Sequence, residues 1–387
     1  MNISNIQNCY GCGLCSVICA KHIIEIKLNA EGFYTPVIKE LDKCTNCGLC
    51  TQVCAFLHDE LSSPNNIYDS YAVWSTDNTV RHKCSSGGIA FELGRMLLEK
   101  GYKICCVRYN PNTNRAEHYI ATTIEELGPS IGSKYIQSYT VDGFKSINKK
   151  ERYLVIGSPC QIDSFRRYIC KLHCEENFVL MDFFCHGVPS IWLWEKYTKE
   201  IEKVTGKITY ASWRNKFTGW HDSYAISING EKSFYKSKLS QGDTFYKLFL
   251  SDVCLGKACY ERCKYKHHHS SADIRIGDLW GIKFRKNEDG VSGVLTFTKH
   301  GDELMHSIKN LHIEPCELKY VIEGQMKNAP ELPKVRNQIV DMLKDNQITL
   351  KETVQYLQPM LHKKRMKKLL TQPLSILRNR LFKYFNL

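Results

Sequence analysis

Eight of the nineteen cysteines in this 387-residue chain lie in two runs with the same spacing. The first run is Cys9, Cys12, Cys15 and Cys19, and the second is Cys44, Cys47, Cys50 and Cys54. Cysteines spaced C-x2-C-x2-C-x3-C typically ligate 4Fe–4S clusters, and in a duplicated form the fourth cysteine of each run binds the other cluster. The spacing therefore predicts two clusters with crossed ligation. Their ligand sets are Cys9, Cys12, Cys15 and Cys54, and Cys44, Cys47, Cys50 and Cys19.

A pair of zinc sites is the alternative for these cysteines. Zinc usually takes two close cysteines and a second, distant pair, whereas each run here places three thiolates on one short loop. Gly11, Gly13 and Gly48 allow the backbone to fold closely around sulfur. The first 58 or so residues also resemble the bacterial two-cluster ferredoxins, with Ala20 and Ala55 where those proteins usually have proline. Two 4Fe–4S clusters are therefore the favoured interpretation.

Four further cysteines lie where a second metal-binding region could form. Cys160 and Cys185 each follow a predicted strand, over residues 153–156 and 178–184. In an open parallel sheet, ligands bind at the edge where the carboxyl ends of the strands meet. Cys259 and Cys263 form a C-x3-C pair that is compatible with metal. Together the four could ligate a third cluster, and the alternative is that buried cysteines fill small apolar spaces.

A glycine-rich segment precedes a predicted helix at residues 89–100. Its residues are Ser85, Ser86, Gly87 and Gly88. A helix that starts behind a Ser N-cap offers hydroxyls, free backbone N–H groups and the positive end of its dipole, all of which suit a phosphate. The pyrophosphate of a flavin dinucleotide would fit there. A purely structural helix cap is the alternative.

The elements that position these residues alternate between strands and helices. Residues 153–169 read as a strand, a tight loop and a helix, which is the βα unit of an α/β sheet. The sequence therefore predicts an α/β body, a mixed sheet with flanking helices, behind a small α+β ferredoxin-like module. We assign residues 1–58 to the module, 59–66 to a linker, 67–350 to the body and 351–387 to a basic amphipathic tail.

The formal net charge of +13 is concentrated in the tail. From Thr353 onward there is no Asp or Glu. Without the eight Lys and Arg residues of that region, the rest of the chain carries only about +5. Basic and apolar residues beyond Leu361, interrupted by Pro373, predict peripheral contact with a membrane, and docking on the body is the alternative. No recognisable reading module accompanies the basic residues, so we expect no nucleic-acid partner.

The sequence also indicates where the protein resides. Residues 1–10 carry no basic start followed by an apolar run, and no stretch approaches the roughly eighteen apolar residues of a membrane-spanning helix. We therefore expect a cytoplasmic protein whose thiols stay reduced, which favours metal ligation over disulfides.

Five motifs of the body resemble, in order, the beta subunit family of coenzyme F420 hydrogenases and dehydrogenases. They are SSGG at 85–88, GSKYIQS at 132–138, GSPCQ at 157–161, FCHGVP at 184–189 and IGDLWG at 276–281. The resemblance covers about residues 67–300. It implies an α/β body that binds FAD and an iron–sulfur cluster, and that exchanges a hydride with a deazaflavin or a similar carrier. Cys84 stands where relatives often have serine, and the Cys259 pair is one residue wider than expected.

The resemblance also implies roles for individual residues. Cys160, Cys185, Cys259 and Cys263 become predicted ligands of a cluster in the body. The predicted flavin contacts are Ser85, Ser86, Gly87, Gly88, Lys134, Gly157 and Ser158. We expect Lys134 to stabilise negative charge on the reduced ring or the phosphate, and a solvated surface charge is the alternative. His186 is predicted to relay protons beside the flavin, or to orient Cys185 by a hydrogen bond.

Taken together, the motifs predict an iron–sulfur flavoprotein oxidoreductase with two 4Fe–4S clusters, a third cluster in the body, and FAD. It would pass single electrons between the clusters and FAD, and two-electron equivalents between FAD and a deazaflavin-like carrier or a small-molecule substrate. Many bacterial relatives belong to polysaccharide-assembly gene sets, which implies a role in polysaccharide biosynthesis. The alternative is a non-catalytic electron-transfer subunit that serves a partner oxidoreductase.

The substitutions Cys15→Ser and Cys50→Ser each remove one ligand from a different predicted cluster. Two intact clusters supply about eight iron atoms per chain. We expect each variant, purified anaerobically, to lose iron and visible absorption relative to the unsubstituted chain. Full iron content and absorption in both variants would show that the predicted clusters do not exist.

Overall fold

The N-terminal module consists of two short helices and one hairpin. The computed structural model describes residues 2–370. The module contains α1 (Leu14–Ile18), β1 (Ile24–Leu28), β2 (Tyr34–Ile38) and α2 (Leu49–Gln52). The two strands are antiparallel. Gly13 and Gly48 each precede a helix with φ near 75°, a left-handed conformation that glycine adopts readily. The two halves of the module therefore repeat one loop-and-helix unit.

The body follows with an alternation of strands and helices. Its strands are β3 (Asp69–Ser75), β4 (Lys103–Asn110), β5 (Arg115–Ala121), β6 (Ser138–Tyr139), β7 (Tyr153–Ile156), β8 (Phe178–Phe183), β9 (Ile208–Ser212), β10 (Ala225–Gly230), β11 (Phe234–Lys238), β12 (Ile274–Asp278), β13 (Ser292–Thr296) and β14 (Leu311–Pro315). Its helices are α3 (Asn78–Lys83), α4 (Ile89–Glu99), α5 (Ile124–Leu127), α6 (Val141–Lys145), α7 (Pro159–Lys171), α8 (Ile191–Thr205), α9 (Thr244–Phe249), α10 (Lys257–Glu261), α11 (Lys299–His306), α12 (Leu318–Val321), α13 (Arg336–Lys344) and α14 (Leu350–Leu370).

A mixed sheet forms the centre of the body. Within residues 2–370 it has nine strands in the order β14-β3-β13-β12-β8-β7-β4-β5-β6. The central strands β4, β7, β8 and β12 run parallel, and antiparallel strands extend the sheet on both sides. The predicted α/β fold with a mixed sheet is confirmed. Because the four central strands are parallel, their carboxyl ends lie at one edge.

The two faces of the sheet are covered by different helices. In β7, Leu154 packs with residues of α4 on one face, whereas Val155 packs with residues of α7 on the other. Val179 and Leu180 of β8 divide in the same way, because neighbouring side chains of a strand point to opposite faces. These strands are nearly continuous apolar runs, as is typical of parallel strands that are buried on both faces.

The module and the body share one hydrophobic core. Leu14, Ile18 and Val53 of the module lie in the same buried cluster as Phe144 and Phe165 of the body. A shared core fixes the position of the module, because relative movement would break up close packing.

The predicted linker at 59–66 is also fixed to the body. The Ser62 amide donates to Asp163 Oδ1 at 2.7 Å, and Asn65 Oδ1 accepts from the Ser270 amide at 2.8 Å. The connecting segment is therefore an ordered part of the body surface. The boundaries assigned from the sequence stay predictions.

The sequence predicts a Ser N-cap at the start of α4, and this prediction is wrong. The N-cap residue is Gly88, with φ 93° and no side-chain cap hydrogen bond. The Ser86 hydroxyl instead donates to the Val291 carbonyl at 2.8 Å. A left-handed backbone at the helix start favours glycine over serine, since a side chain there is strained.

Helix α14 begins the predicted tail by docking on the body. Leu350, Val354 and Leu357 are buried in the core that contains α9 and α13. This part of the tail matches the docking alternative, whereas residues 371–387, with Pro373, lie outside the described residues. Along residues 2–370, none of the helices has the length and apolar character needed to cross a membrane.

A buried ion pair joins two central strands. Asp182 of β8 and Arg275 of β12 lie opposite each other in the parallel ladder, and neither side chain is exposed. Arg275 Nε and Nη2 each donate to one Asp182 oxygen at 2.7 Å. The Arg275 Nη1 group also donates to the carbonyls of Tyr265 and His267 at 3.1 Å. The pair therefore ties the sheet to the loop before β12.

We expect Asp182→Asn to destabilise the fold strongly, because it leaves the Arg275 charge buried without a counter-ion. The free energy of unfolding in urea should fall by about 3–5 kcal/mol. Glu303→Gln, which breaks the exposed pair of Lys299 and Glu303, is the control and should cost about 1 kcal/mol or less. Equal losses in the two variants would contradict the assignment of Asp182 as a stabilising residue.

Candidate redox site

Four cysteines from both runs line one cavity in the module. They are Cys9, Cys12, Cys15 and Cys54, and the space between the lining atoms is about 360 Å³, open solvent included. Ile3, Ile6 and Ile26 are among the apolar residues that complete its wall. These cysteines are the set predicted for the first cluster, including Cys54 from the other run. The cavity thus fits a 4Fe–4S cube held by four thiolates.

The second predicted set lies toward the surface. Burial raises the pKa of the Cys50 thiol, and the neighbouring thiols of Cys47 and Cys19 raise it further. Cys50 is buried and Cys47 is exposed. A hydrogen bond from the Leu49 backbone lowers the pKa of Cys47. Cys19 therefore lies with the second run, as crossed ligation requires.

The four body cysteines also converge. Cys160 is in the first turn of α7, Cys185 follows β8, and Cys259 lies in α10 with Cys263 just beyond it. Burial raises the pKa of Cys160, and the thiols of Cys185 and Cys259 add to that effect. Burial likewise raises the pKa of Cys259 to about 12, with contributions from Cys185 and Cys263. The four thiols therefore fit a shared cluster. They do so although Cys259 and Cys263 are one residue further apart in sequence than the family resemblance leads us to expect.

These groups of cysteines are not spaced for one metal ion. Within residues 2–370, no three His, Cys, Asp or Glu side chains are close enough together to hold a single ion. A 4Fe–4S cube binds each cysteine at a different iron corner and therefore spaces its ligands more widely.

A large pocket lies at the carboxyl edge of the parallel strands. It encloses about 2070 Å³, open solvent included. The predicted site residues that line it are Ser85, Ser86, Gly88, Lys134, Gly157, Ser158, Cys160, Cys185 and His186. Motifs whose lining residues are up to about 195 residues apart in the sequence thus meet at this edge, as the strand order requires.

Gly87 is placed behind the pocket wall rather than in it. Its amide donates to Ser292 Oγ at 3.0 Å. A Cβ atom at this position would lie 2.3 Å from the Val73 carbonyl oxygen. Gly87 therefore allows the segment to pack closely on β3, which differs from its predicted role as a flavin contact.

Ser85 connects two of the motifs. Its Oγ accepts from the Ser133 amide at 2.8 Å and lies 3.0 Å from the Ser133 hydroxyl. Ile89 and Ala90, in the first turn of α4, line the pocket beside this pair. The first N–H groups of a helix have no intrahelical partner and favour an anion. This end of the pocket fits the phosphate groups of a dinucleotide.

Lys134 is half-buried and anchors the adjoining loop. Its Nζ donates to the carbonyls of Pro129, Ser130, Ile131 and Gly132 at 2.8–3.1 Å. Burial lowers the pKa of this ammonium to about 8. Lys134 is thus not a solvated surface charge. It holds the loop that carries Ser133 while lining the pocket.

His186 is held by residues that the sequence motifs did not reveal. Its Nε2 atom lies 2.8 Å from Asp252 Oδ1, and its ring contacts Phe249 edge-on. Lys266 Nζ donates to the carbonyls of Cys185 and His186 at 2.8 Å each. Neither Asp252 nor Lys266 lies in a motif or a periodic pattern, so their roles follow only from the fold. Asp252 can hold the His186 ring in place at the pocket.

An aromatic wall closes the far side of the pocket. Asp278, at the end of β12, accepts from Arg214 Nη1 at 2.7 Å and from the Trp220 indole at 2.9 Å. The Arg214 guanidinium lies 5.0 Å from the Trp280 ring and 4.8 Å from the Tyr224 ring. Asp278 and Trp280 belong to the IGDLWG motif, so that motif was a usable signal. Such a wall suits a planar ring.

Comparison with known families agrees with this site. Residues 70–143 match the family described as coenzyme F420 hydrogenase/dehydrogenase, beta subunit N-term, and residues 150–319 match the C terminus of the same beta subunit. The chain belongs to this beta subunit family. Residues 8–56 match the 4Fe-4S dicluster domain. The predicted resemblance and the ferredoxin-type module are therefore confirmed, and this family member is an iron–sulfur protein related to oxidoreductases.

Solved structures are also similar to this beta subunit family member. One similar structure is titled "Xenon derivatization of the F420-reducing [NiFe] hydrogenase complex from Methanosarcina barkeri". The matched chain has 18% sequence identity and a TM-score of 0.46, and the match covers 79% of this chain and 95% of that chain. No curated protein matches this chain.

We expect Lys134→Met to release the loop at 129–133, because four carbonyls lose their donor. The free energy of unfolding should fall by about 1.5–3 kcal/mol. Lys196→Met is the matched control, since Lys196 donates to the carbonyls of Met342, Asp345 and Ile348 away from the pocket. Both variants should lose stability, and only Lys134→Met should lose bound flavin. Equal flavin content in the two variants would contradict the predicted flavin contact at Lys134.

Proposed function

We propose that this chain is an iron–sulfur flavoprotein oxidoreductase. Its ferredoxin-type clusters exchange single electrons with FAD, and FAD exchanges two-electron equivalents with a deazaflavin-like carrier or a small substrate. The observation that carries the proposal is the continuity of the thiol groups with the pocket. Cys160 lines the pocket, and Ser164, one helical turn later in α7, accepts from the Cys12 thiol at 3.2 Å. Ser164 Oγ also accepts from the Ala55 amide at 3.1 Å.

The residues present support both kinds of group. When bound, the clusters supply one-electron steps and the flavin converts these into two-electron steps. Ser85, Ser133 and the first turn of α4 would hold the phosphates. Gly157 and Ser158 follow β7 and would approach the flavin closely, since both line the pocket. The thiols of Cys160, Cys185, Cys259 and Cys263 would ligate the third cluster.

His186 is the group best placed to hold a proton at the pocket. Its Nε2 atom lies 2.8 Å from Asp252 Oδ1, and its ring is held edge-on by Phe249. The aromatic wall of Trp280 and Tyr224 would exclude water from the opposite side. A dry, ordered site suits two-electron transfer to an organic substrate. A role in polysaccharide biosynthesis follows only from the bacterial relatives with that gene context.

The second proposal is a non-catalytic electron-transfer subunit. It is favoured by the family description as a beta subunit and by the exposed position of Cys47, where a partner redox protein could reach the outer cluster. A cytoplasmic location and peripheral membrane contact through the tail remain part of our proposal. No partner nucleic acid is proposed.

The two proposals differ in what the isolated chain can do. We expect anaerobically purified protein to contain about twelve iron atoms and one FAD if all three clusters are present, and about eight if only the module is loaded. An enzyme should oxidise or reduce a panel of deazaflavin and nicotinamide carriers without another subunit. Reduction of the bound flavin without turnover of any carrier would favour the subunit. Fewer than about eight iron atoms, or no flavin, in fully loaded protein would contradict both.

A further inference from the structure

We propose that Tyr10 is the bridge through which electrons cross between the module and the body. This inference rests on the proposed function. One electron would leave a reduced cluster on Cys9, Cys12, Cys15 and Cys54, which is thereby oxidised, and the proposed body cluster or FAD would take up that electron and be reduced. Tyr10 itself gains and loses neither an electron nor a proton.

The position of Tyr10 carries the proposal. It lines the cysteine cavity of the module and also the pocket of the body, and no other residue is common to the two linings within residues 2–370. It follows Cys9 directly in the sequence. The thiols of Cys160 and Cys263 lie close enough to affect the charge state of its phenol. Tyr10 therefore separates the two regions by the thickness of one side chain.

Two more rings extend Tyr10 in both directions. The Tyr10 ring lies 5.3 Å from Phe56, which lines the module cavity, and 5.8 Å from Tyr265, which lines the body pocket. Both contacts are edge-to-face, at 87° and 64°, the geometry that aromatic pairs prefer. The three rings thus form a packed series from one cavity to the other.

Hydrogen bonds fix this series from both sides. The Tyr10 hydroxyl donates to the Arg262 carbonyl of the body. Arg262 in turn donates to the Phe56 carbonyl at 3.2 Å and to Asp59 at 2.9 Å in the opposite direction. The Tyr265 hydroxyl donates to Asp163 at 2.7 Å.

The close packing of the Tyr10 ring is the property on which the rate of electron transfer would depend. Electron transfer between separated groups slows steeply with distance and with gaps between packed atoms. Replacing a buried ring by a smaller side chain leaves a void that its surroundings fill only in part. Removing the Tyr10 ring should therefore slow transfer without touching a ligand of either site.

The test compares Tyr10→Leu, Tyr10→Phe and a matched control in the full chain, anaerobic and loaded with iron and flavin. The control is Tyr34→Leu, because Tyr34 makes a similar edge-to-face contact with Tyr139 between module and body, at 5.3 Å, and neither residue lines a cavity. Reduced methyl viologen is mixed rapidly with each variant. Bleaching of the clusters and then of the flavin is followed by absorbance, and magnetic coupling between clusters by electron paramagnetic resonance.

We expect flavin reduction in Tyr10→Leu to be slower by on the order of tenfold than in Tyr34→Leu, at equal iron and flavin content. The first bleaching of the clusters should be unchanged. Tyr10→Phe keeps the ring and should stay within about twofold of the unsubstituted chain. Equal rates in Tyr10→Leu and Tyr34→Leu would overturn the proposal.

A second variant distinguishes a break in the series of rings from loss of the module cluster. Tyr265→Leu removes the next ring and leaves every residue of the module cavity intact. It should slow flavin reduction in the same way, and an unchanged rate would also overturn the bridge. If the unsubstituted chain carries clusters that never reduce its flavin, the proposed function fails, and this result is distinct from a failure of Tyr10 alone.

Discussion

Buried ammonium groups that collect loop carbonyls hold this site together. Lys134 anchors the loop before Ser133, and Lys216 Nζ donates to the carbonyls of Arg81, Ser86 and Asp289 at 2.5–2.7 Å. Lys264 does the same for the carbonyls of Ala55, His58 and Glu60, directly after Cys54. Lys266 Nζ donates to the carbonyls of Cys185 and His186. Loops cannot satisfy their carbonyls in a ladder, and an ammonium offers three donors at one point. The segments that carry predicted cofactor residues are therefore rigid although they lack regular structure.

The shared core of the module and the body adds a second constraint. A ferredoxin module on a free linker would present its clusters at variable distances. Here α1 and the residues around Cys54 pack on α6 and α7, so the predicted ligand sets keep one separation. The body strap from Arg262 to Lys266 strengthens this arrangement, because its side chains contact both the module and the pocket. Arg262 and Lys264 bind module carbonyls, and Lys266 binds the loop of Cys185. Fold and electron path are thus determined by the same contacts.

The sequence predicted the fold class, strands β7 and β8, and the crossed grouping of the module cysteines, because spacing and apolar periodicity are local signals. Strands β7 and β8 lie where continuous apolar runs placed them. The sequence did not predict the Asp252 contact of His186 or the carbonyl partners of Lys134, since these depend on how distant loops meet. Close packing of Gly87 on β3 was also not predicted, because it depends on a strand about fifteen residues away, and the flavin contact of Gly87 stays a prediction. The Ser N-cap failed for a similar reason, as the left-handed backbone at Gly88 was invisible to composition.

Cys47 is more exposed than the cysteines of the first predicted cluster, and this difference gives damage an order. Cys47 is exposed and has a lowered pKa, whereas Cys12 and Cys15 are buried. Thiolates that face solvent react with peroxide and oxygen species first. An oxidant would thus damage the second predicted cluster, which includes Cys47, before it reached the pocket. A damaged chain would then receive no electrons while its pocket was still intact. It would therefore stop working without passing electrons to oxygen.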